Sequence, residues 1–118
     1  MSPGDHAAIT RRFTDRDIAE FAALSGASPA EGVPEPLIAA LFSRILGVDL
    51  PGPGTNYLKQ TLRLLAPAPV GQPLTARVTI TRLRREKHLV DLATTCHAAD
   101  GTLICEGRAL VLARDVAR

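Results

Sequence analysis

Between Pro36 and Gly47 the chain reads Leu37-Ile38-Ala39-Ala40-Leu41-Phe42-Ser43-Arg44-Ile45-Leu46. This segment constrains the fold more than any other. Its large apolar residues recur at helical spacing but cover more than one stripe, and Ser43 and Arg44 are its only clearly polar members. A helix this apolar is buried on most sides. Pro34-Glu35-Pro36 opens it, because proline is tolerated in a first turn, and Gly47 is its expected stop.

Something must wrap around that helix, and the rest of the sequence supplies strands. Leu74, Ala76, Val78 and Ile80 alternate with Thr75, Arg77, Thr79 and Thr81, the pattern of a half-buried strand. Residues 89–98 and 103–113 read the same way, and Asp100-Gly101 between them is a two-residue hairpin signal. Residues 55–65 form a strand with partial alternation, and residues 9–13 a short one. Proline and glycine punctuate residues 51–54 and 67–73 as turns. Upstream, Thr14 is the expected N-cap of a first helix, with Asp15 and Asp17 at its positive end. Ile18, Phe21, Ala22 and Leu24 form its apolar face, and Gly26 stops it. Residues 1–8 are expected to be a flexible tail.

The predicted order is strand, helix, very apolar helix, then a run of strands. A curved antiparallel sheet around one central helix satisfies it, an α+β arrangement. No helices separate the late strands, which excludes a parallel α/β sheet. At 118 residues the chain is expected to be one domain. With no Trp, one Tyr and three Phe it has no stacking platform for single strands, and a net charge of +2 gives no basic bias; no nucleic-acid partner is expected. No apolar run reaches membrane-spanning length and no signal-like segment opens the chain, so a cytoplasmic protein off the membrane is expected.

Cys96 and Cys105 are too few for a disulfide scaffold or a zinc knuckle, so no metal is expected. With Asp100-Gly101 as the turn, Ala99 pairs with Thr102 and Cys96 falls opposite Cys105. The two are packed thiols in a reducing compartment, or a strained disulfide under oxidation. Leu92, Thr94, Ala98, Leu103, Gly107 and Ala109 share their face, and His97 lies on the other, opposite Ile104.

The stretch from Phe13-Thr14-Asp15 to Ala23-Leu24-Ser25-Gly26 carries a likeness, as do Leu41-Phe42-Ser43-Arg44-Ile45-Leu46-Gly47 and Leu50-Pro51-Gly52-Pro53-Gly54-Thr55. With Tyr57-Leu58, Gln60, Ala66-Pro67 and Val70-Gly71 following in order, the chain resembles the hotdog-fold MaoC-like dehydratases and (R)-specific enoyl-CoA hydratases. The resemblance implies a hotdog sheet and a dimer with acyl-thioester sites at the subunit interface. It implies acyl-CoA or acyl-carrier-protein substrates and no cofactor.

In that family an Asp, then Asn-Pro, then a His follow the Ser-Gly that ends the first helix, and they activate the water that adds to the enoyl thioester. Here Ala27 stands at the Asp position and no His follows before the apolar helix. Pro34-Glu35 stand where the family has His-Gly; Pro34 has no N–H to give, and Glu35 adds negative charge near a developing oxyanion. The resemblance thus implies an acyl-thioester binder, or a partner of an intact hydratase, with the hydration dyad absent. The alternatives are a hydratase with relocated residues, or a thioesterase using Glu35 or Glu31. Either acid, like Asp49 nearby, has the plainer role of complementing a helix end or facing solvent. Asn56, Tyr57 and Gln60 lie where the family approaches its acyl tunnel. Arg85 and Lys87, in the basic run before His88, could meet coenzyme A phosphates or the acidic surface of a carrier protein; the bland reading is a solvated turn.

Overall fold

The computed structural model describes residues 1–26 and 32–116. Five antiparallel strands, β1 (His6–Arg12), β2 (Asn56–Leu64), β3 (Pro73–Arg84), β4 (Leu89–Ala98) and β5 (Leu103–Leu112), form one sheet in the order β1-β3-β4-β5-β2. Helix α1 (Asp15–Ser25) follows β1, and helix α2 (Glu35–Arg44) precedes β2. The sheet curls around α2, whose Ile38, Leu41 and Phe42 are buried against Leu74, Ala76, Val78, Leu92 and Val111. This is the expected α+β hotdog arrangement.

Helix α1 has the expected start and stop. The Asp17 N–H donates to Thr14 Oγ1 at 3.2 Å and the Thr14 N–H donates to Asp17 Oδ2 at 2.9 Å, a reciprocal capping box. Gly26 closes the helix at φ 71°, its N–H donating to Ala22 O. The apolar face is narrower than expected. Ile18 is buried and Phe21 and Ala22 half-buried, but Leu24 is 88% exposed.

Helix α2 does not run on to Gly47. It gives way at Ile45 to a π-helical turn, Ile45–Asp49, in which the Leu50 N–H donates to Ile45 O at 2.9 Å. The wider turn keeps Ile45 and Leu46 in the core and sends Gly47, Val48 and Asp49 to solvent.

Strand β1 begins at His6, three residues before the expected start. His6, Ala7 and Ala8, placed by the sequence in a tail, pair with Thr79, Val78 and Arg77. Strand β3 runs to Arg84, past the visible alternation at Thr81. A bulge there shifts the phase, so Leu83 pairs with the buried Val90 while Arg82 pairs with Asp91. Among the described residues no helix is long and apolar enough to cross a membrane.

Candidate functional site

The N-terminal end of α2 is where the chain could present backbone donors to a ligand. It is a poor donor set. Pro34 caps the helix without a side-chain bond, Pro36 has no N–H, and the Leu37 N–H already donates to Pro34 O at 3.0 Å. Of the first three helical positions, only Glu35 has an N–H left to offer. The Glu35 side chain is exposed, and its charge reaches the core far enough to help push the Cys105 thiol up.

An apolar hollow of about 280 Å³ lies beside this helix end, lined by Val33, Leu64, Leu65, Ala66, Pro67 and Ala68. The Val33 N–H donates to Ala68 O at 2.9 Å, which ties the start of α2 to the segment after β2. Leu64 and Leu65 are 48% and 42% exposed. Sequence reasoning passed over them; the signal available was two adjacent leucines at the end of a polar strand.

Ala27 and Glu31 lie outside the described residues. Asp49 is exposed at the end of the π-helical turn. Asn56 pairs with Leu112 on the sheet face away from α2, whereas Tyr57 and Gln60 oppose the buried Val111 and Ala109. Tyr57 and Gln60 are three residues apart, yet they share the concave face because a bulge at Leu58 resets the alternation. Burial pushes the Tyr57 phenol up to about 12. Gln60 Nε2 is buried without a hydrogen-bond partner. The structure therefore brings Tyr57 and Gln60 together and turns Asn56 the other way.

Arg85 and Lys87 are exposed in the short turn between β3 and β4, where Arg85 Nη2 donates to Met1 O at 2.9 Å. That turn precedes Leu89, and Cys96 lies seven residues along β4, about 23 Å at roughly 3.3 Å per residue. Within one chain the basic turn and Glu35 thus sit toward opposite ends of the sheet. Among the described residues no group of three His, Cys, Asp or Glu side chains is placed to hold a metal.

The β4–β5 hairpin brings Cys96 and Cys105 into register as expected. Both are free thiols and fully buried. His97, however, pairs with Leu103 and not with Ile104. A bulge leaves Ile104 unpaired, and it turns inward with Cys105. The Thr102 N–H donates to Asp100 Oδ1 at 2.9 Å, which tightens the turn and takes up the extra residue.

No family model matches the chain. The (R)-specific enoyl-CoA hydratase of Rhodospirillum rubrum is 36% identical over 127 aligned residues, covering 95% of this chain and 88% of that protein. The chain belongs to the (R)-specific enoyl-CoA hydratase family. The family's Aeromonas caviae member is 37% identical, with 94% of both chains covered. A solved structure of the (R)-hydratase from A. caviae involved in PHA biosynthesis superposes with a TM-score of 0.87 at 35% identity, over 94% of this chain and 96% of that one. The hotdog sheet and its central helix are therefore shared with hydratases of the family.

Proposed function

We propose that the chain binds an acyl thioester, carried on coenzyme A or a carrier protein, or pairs with an intact hydratase subunit, and does not hydrate the enoyl group by the family's mechanism. The observation that carries this reading is the chemistry of the α2 N-terminus. Adding water across an enoyl thioester needs a base for the water and an acid for the α-carbon, both within hydrogen-bond reach. The sequence offers Ala27 where the resemblance expects the Asp. The three imidazoles belong to His6 on β1, His88 after the β3–β4 turn and His97 on β4, and none is on α2. The thioester carbonyl would meet few backbone donors there and the negative charge of Glu35.

Strand β2 supports the partner role. It is hydrogen-bonded to β5 on one side only, and Tyr57, Leu58 and Leu64 on it and Leu65 just after it are exposed. An edge strand with one open side and apolar side chains at both ends is suited to pairing with a second sheet, from another copy or from a hydratase.

Incubation with crotonyl-CoA tests the reading by loss of the enone absorbance and release of free thiol. The expected result is neither, together with a coenzyme A thioester retained in native mass spectrometry or a stable complex with an intact hydratase. Steady turnover abolished by Glu35→Gln would overturn it in favour of an enzyme, release of thiol pointing to a thioesterase and its absence to a hydratase.

A further inference from the structure

The convex face of the sheet carries a charge that the whole chain does not. The chain has 14 Lys and Arg against 12 Asp and Glu, a net +2. On the face turned away from α2, Arg12, Lys59, Arg63, Arg77, Arg82 and Arg108 are exposed. Glu106 is the one exposed acid among its strand residues, and Asp91 is taken by Arg84 at 2.9 Å. The acids of the helical side, including Asp15, Glu20 and Glu35, balance this in the total without diluting it locally.

That face is also hollowed. A groove of about 450 Å³ is lined by Thr61, Arg63, Thr95, Glu106 and Arg108. It adjoins a second hollow of about 230 Å³ that shares Thr61 and Arg108 and reaches Lys59 and the Arg84-paired Asp91. The depression has a cause in the sequence. Ala93 sits between Thr79 and Arg108 across the strands, and its methyl group leaves the middle of this face unfilled.

We propose that this groove is a docking site for an acidic segment of a partner protein. Low-lying cations around a hollow complement carboxylates, and the Thr61 and Thr95 hydroxyls can bond a peptide backbone. Glu106 excludes the other polyanion. It lies directly opposite Arg63, where it repels a phosphate chain, while a protein segment can offer it a Lys or Arg of its own. The strand residues of this face include no Phe, Tyr or Trp on which bases would stack. The groove is on the opposite side of the sheet from α2, so the inference does not depend on what the helix end binds.

Fluorescence anisotropy of a labelled Glu-rich peptide carrying one central Lys, titrated with the full chain, tests it. Saturable binding is expected that weakens as salt is raised, and roughly tenfold weaker binding for Arg108→Glu and for Arg77→Glu. Arg108→Lys should retain most of the affinity. Arg77 and Arg108 are on interior strands, so circular dichroism and sedimentation should be unchanged; should either Glu variant fail to fold, Arg108→Ala and Arg77→Ala carry the same comparison. Absence of saturable binding, affinity indifferent to these substitutions, or tighter binding of an oligothymidylate of equal length would each overturn the proposal.

Discussion

Cys96 and Cys105 face each other across β4 and β5, in register, fully buried and unoxidised. Cys105 S–H lies against Cys96 sulfur, which holds the Cys96 thiol lower, while that neighbour and burial push the Cys105 thiol well above the ordinary range. The pair therefore gives up one proton at most at neutral or mildly alkaline pH. An aromatic disulfide reagent should leave both thiols unmodified in the folded protein and react with two per chain in denaturant. Cys105→Ser should cost about 1–3 kcal/mol in chemical denaturation, since it swaps a weakly polar sulfur for a hydroxyl in a dry site. Rapid native modification of both thiols would contradict the packing.

Tyr57 gives an optical readout of the β2 edge. It is the single tyrosine and there is no tryptophan, so tyrosinate absorbance reports this phenol alone. Its pKa is raised from 10.0 to about 12 by partial burial of the side chain. The phenol is neutral when protonated, so the fold holds its proton more tightly than the unfolded chain does. The resulting stabilisation is fully present below pH 10 and is lost as pH rises from 10 toward 12. Spectrophotometric titration should give a midpoint near 12 in the folded chain and near 10 in denaturant. A folded midpoint near 10 would mean that the ring is solvated and β2 displaced.

The strands were legible where one face is buried and the other wet. β4 occupies residues 89–98 as read, because Val90, Leu92, Thr94 and Cys96 alternate without interruption. What escaped were the phase changes. The bulges at Leu58, Thr81 and Ile104 each insert one residue, and one residue reverses the faces. They leave no composition mark at these positions, since the shift follows from sheet curvature around α2. The π-helical turn escaped for the same kind of reason: it answers to the packing of Ile45 and Leu46, whereas Gly47 reads locally as a stop. At the helix end, Pro34, Glu35 and Pro36 were legible because proline's missing N–H is a property of the residue itself. The hollow beside them was not, because it joins Val33 to Leu64 and Leu65 across the fold.

Gly107 on β5 packs directly against the β2 backbone at Thr61 and Leu62. A Cβ there would overlap the Thr61 carbonyl oxygen, which is backbone and cannot swing aside like a side chain. The Arg108 N–H also donates to Thr61 Oγ1 at 3.2 Å, so the crossing is fixed from both sides. Gly107→Ala must then push β2 off β5 and should cost about 2–4 kcal/mol, read from a shifted denaturation midpoint. The loss should be concentrated in faster amide exchange along β2, with β3 and β4 protected as before. A neutral substitution would show that β2 can move at Thr61 without detaching.

Thr94 is the one buried polar residue among the described core positions, with no exposed surface and no hydrogen-bond partner for its hydroxyl. It sits opposite Val78 on one side and Gly107 on the other. A hydroxyl stripped of water and left unbonded costs stability that an apolar group of similar shape would not. Valine keeps the β-branched outline and suits a central strand better. Thr94→Val should therefore raise stability by about 1 kcal/mol, with an unchanged denaturant slope showing that the gain lies in the folded state. Thr94→Ser should lower it, because the orphan hydroxyl stays and a methyl contact is lost. A destabilised valine variant would mean that the hydroxyl bonds to a bound water or ligand in solution, and would place a polar anchor inside the sheet beside Gly107.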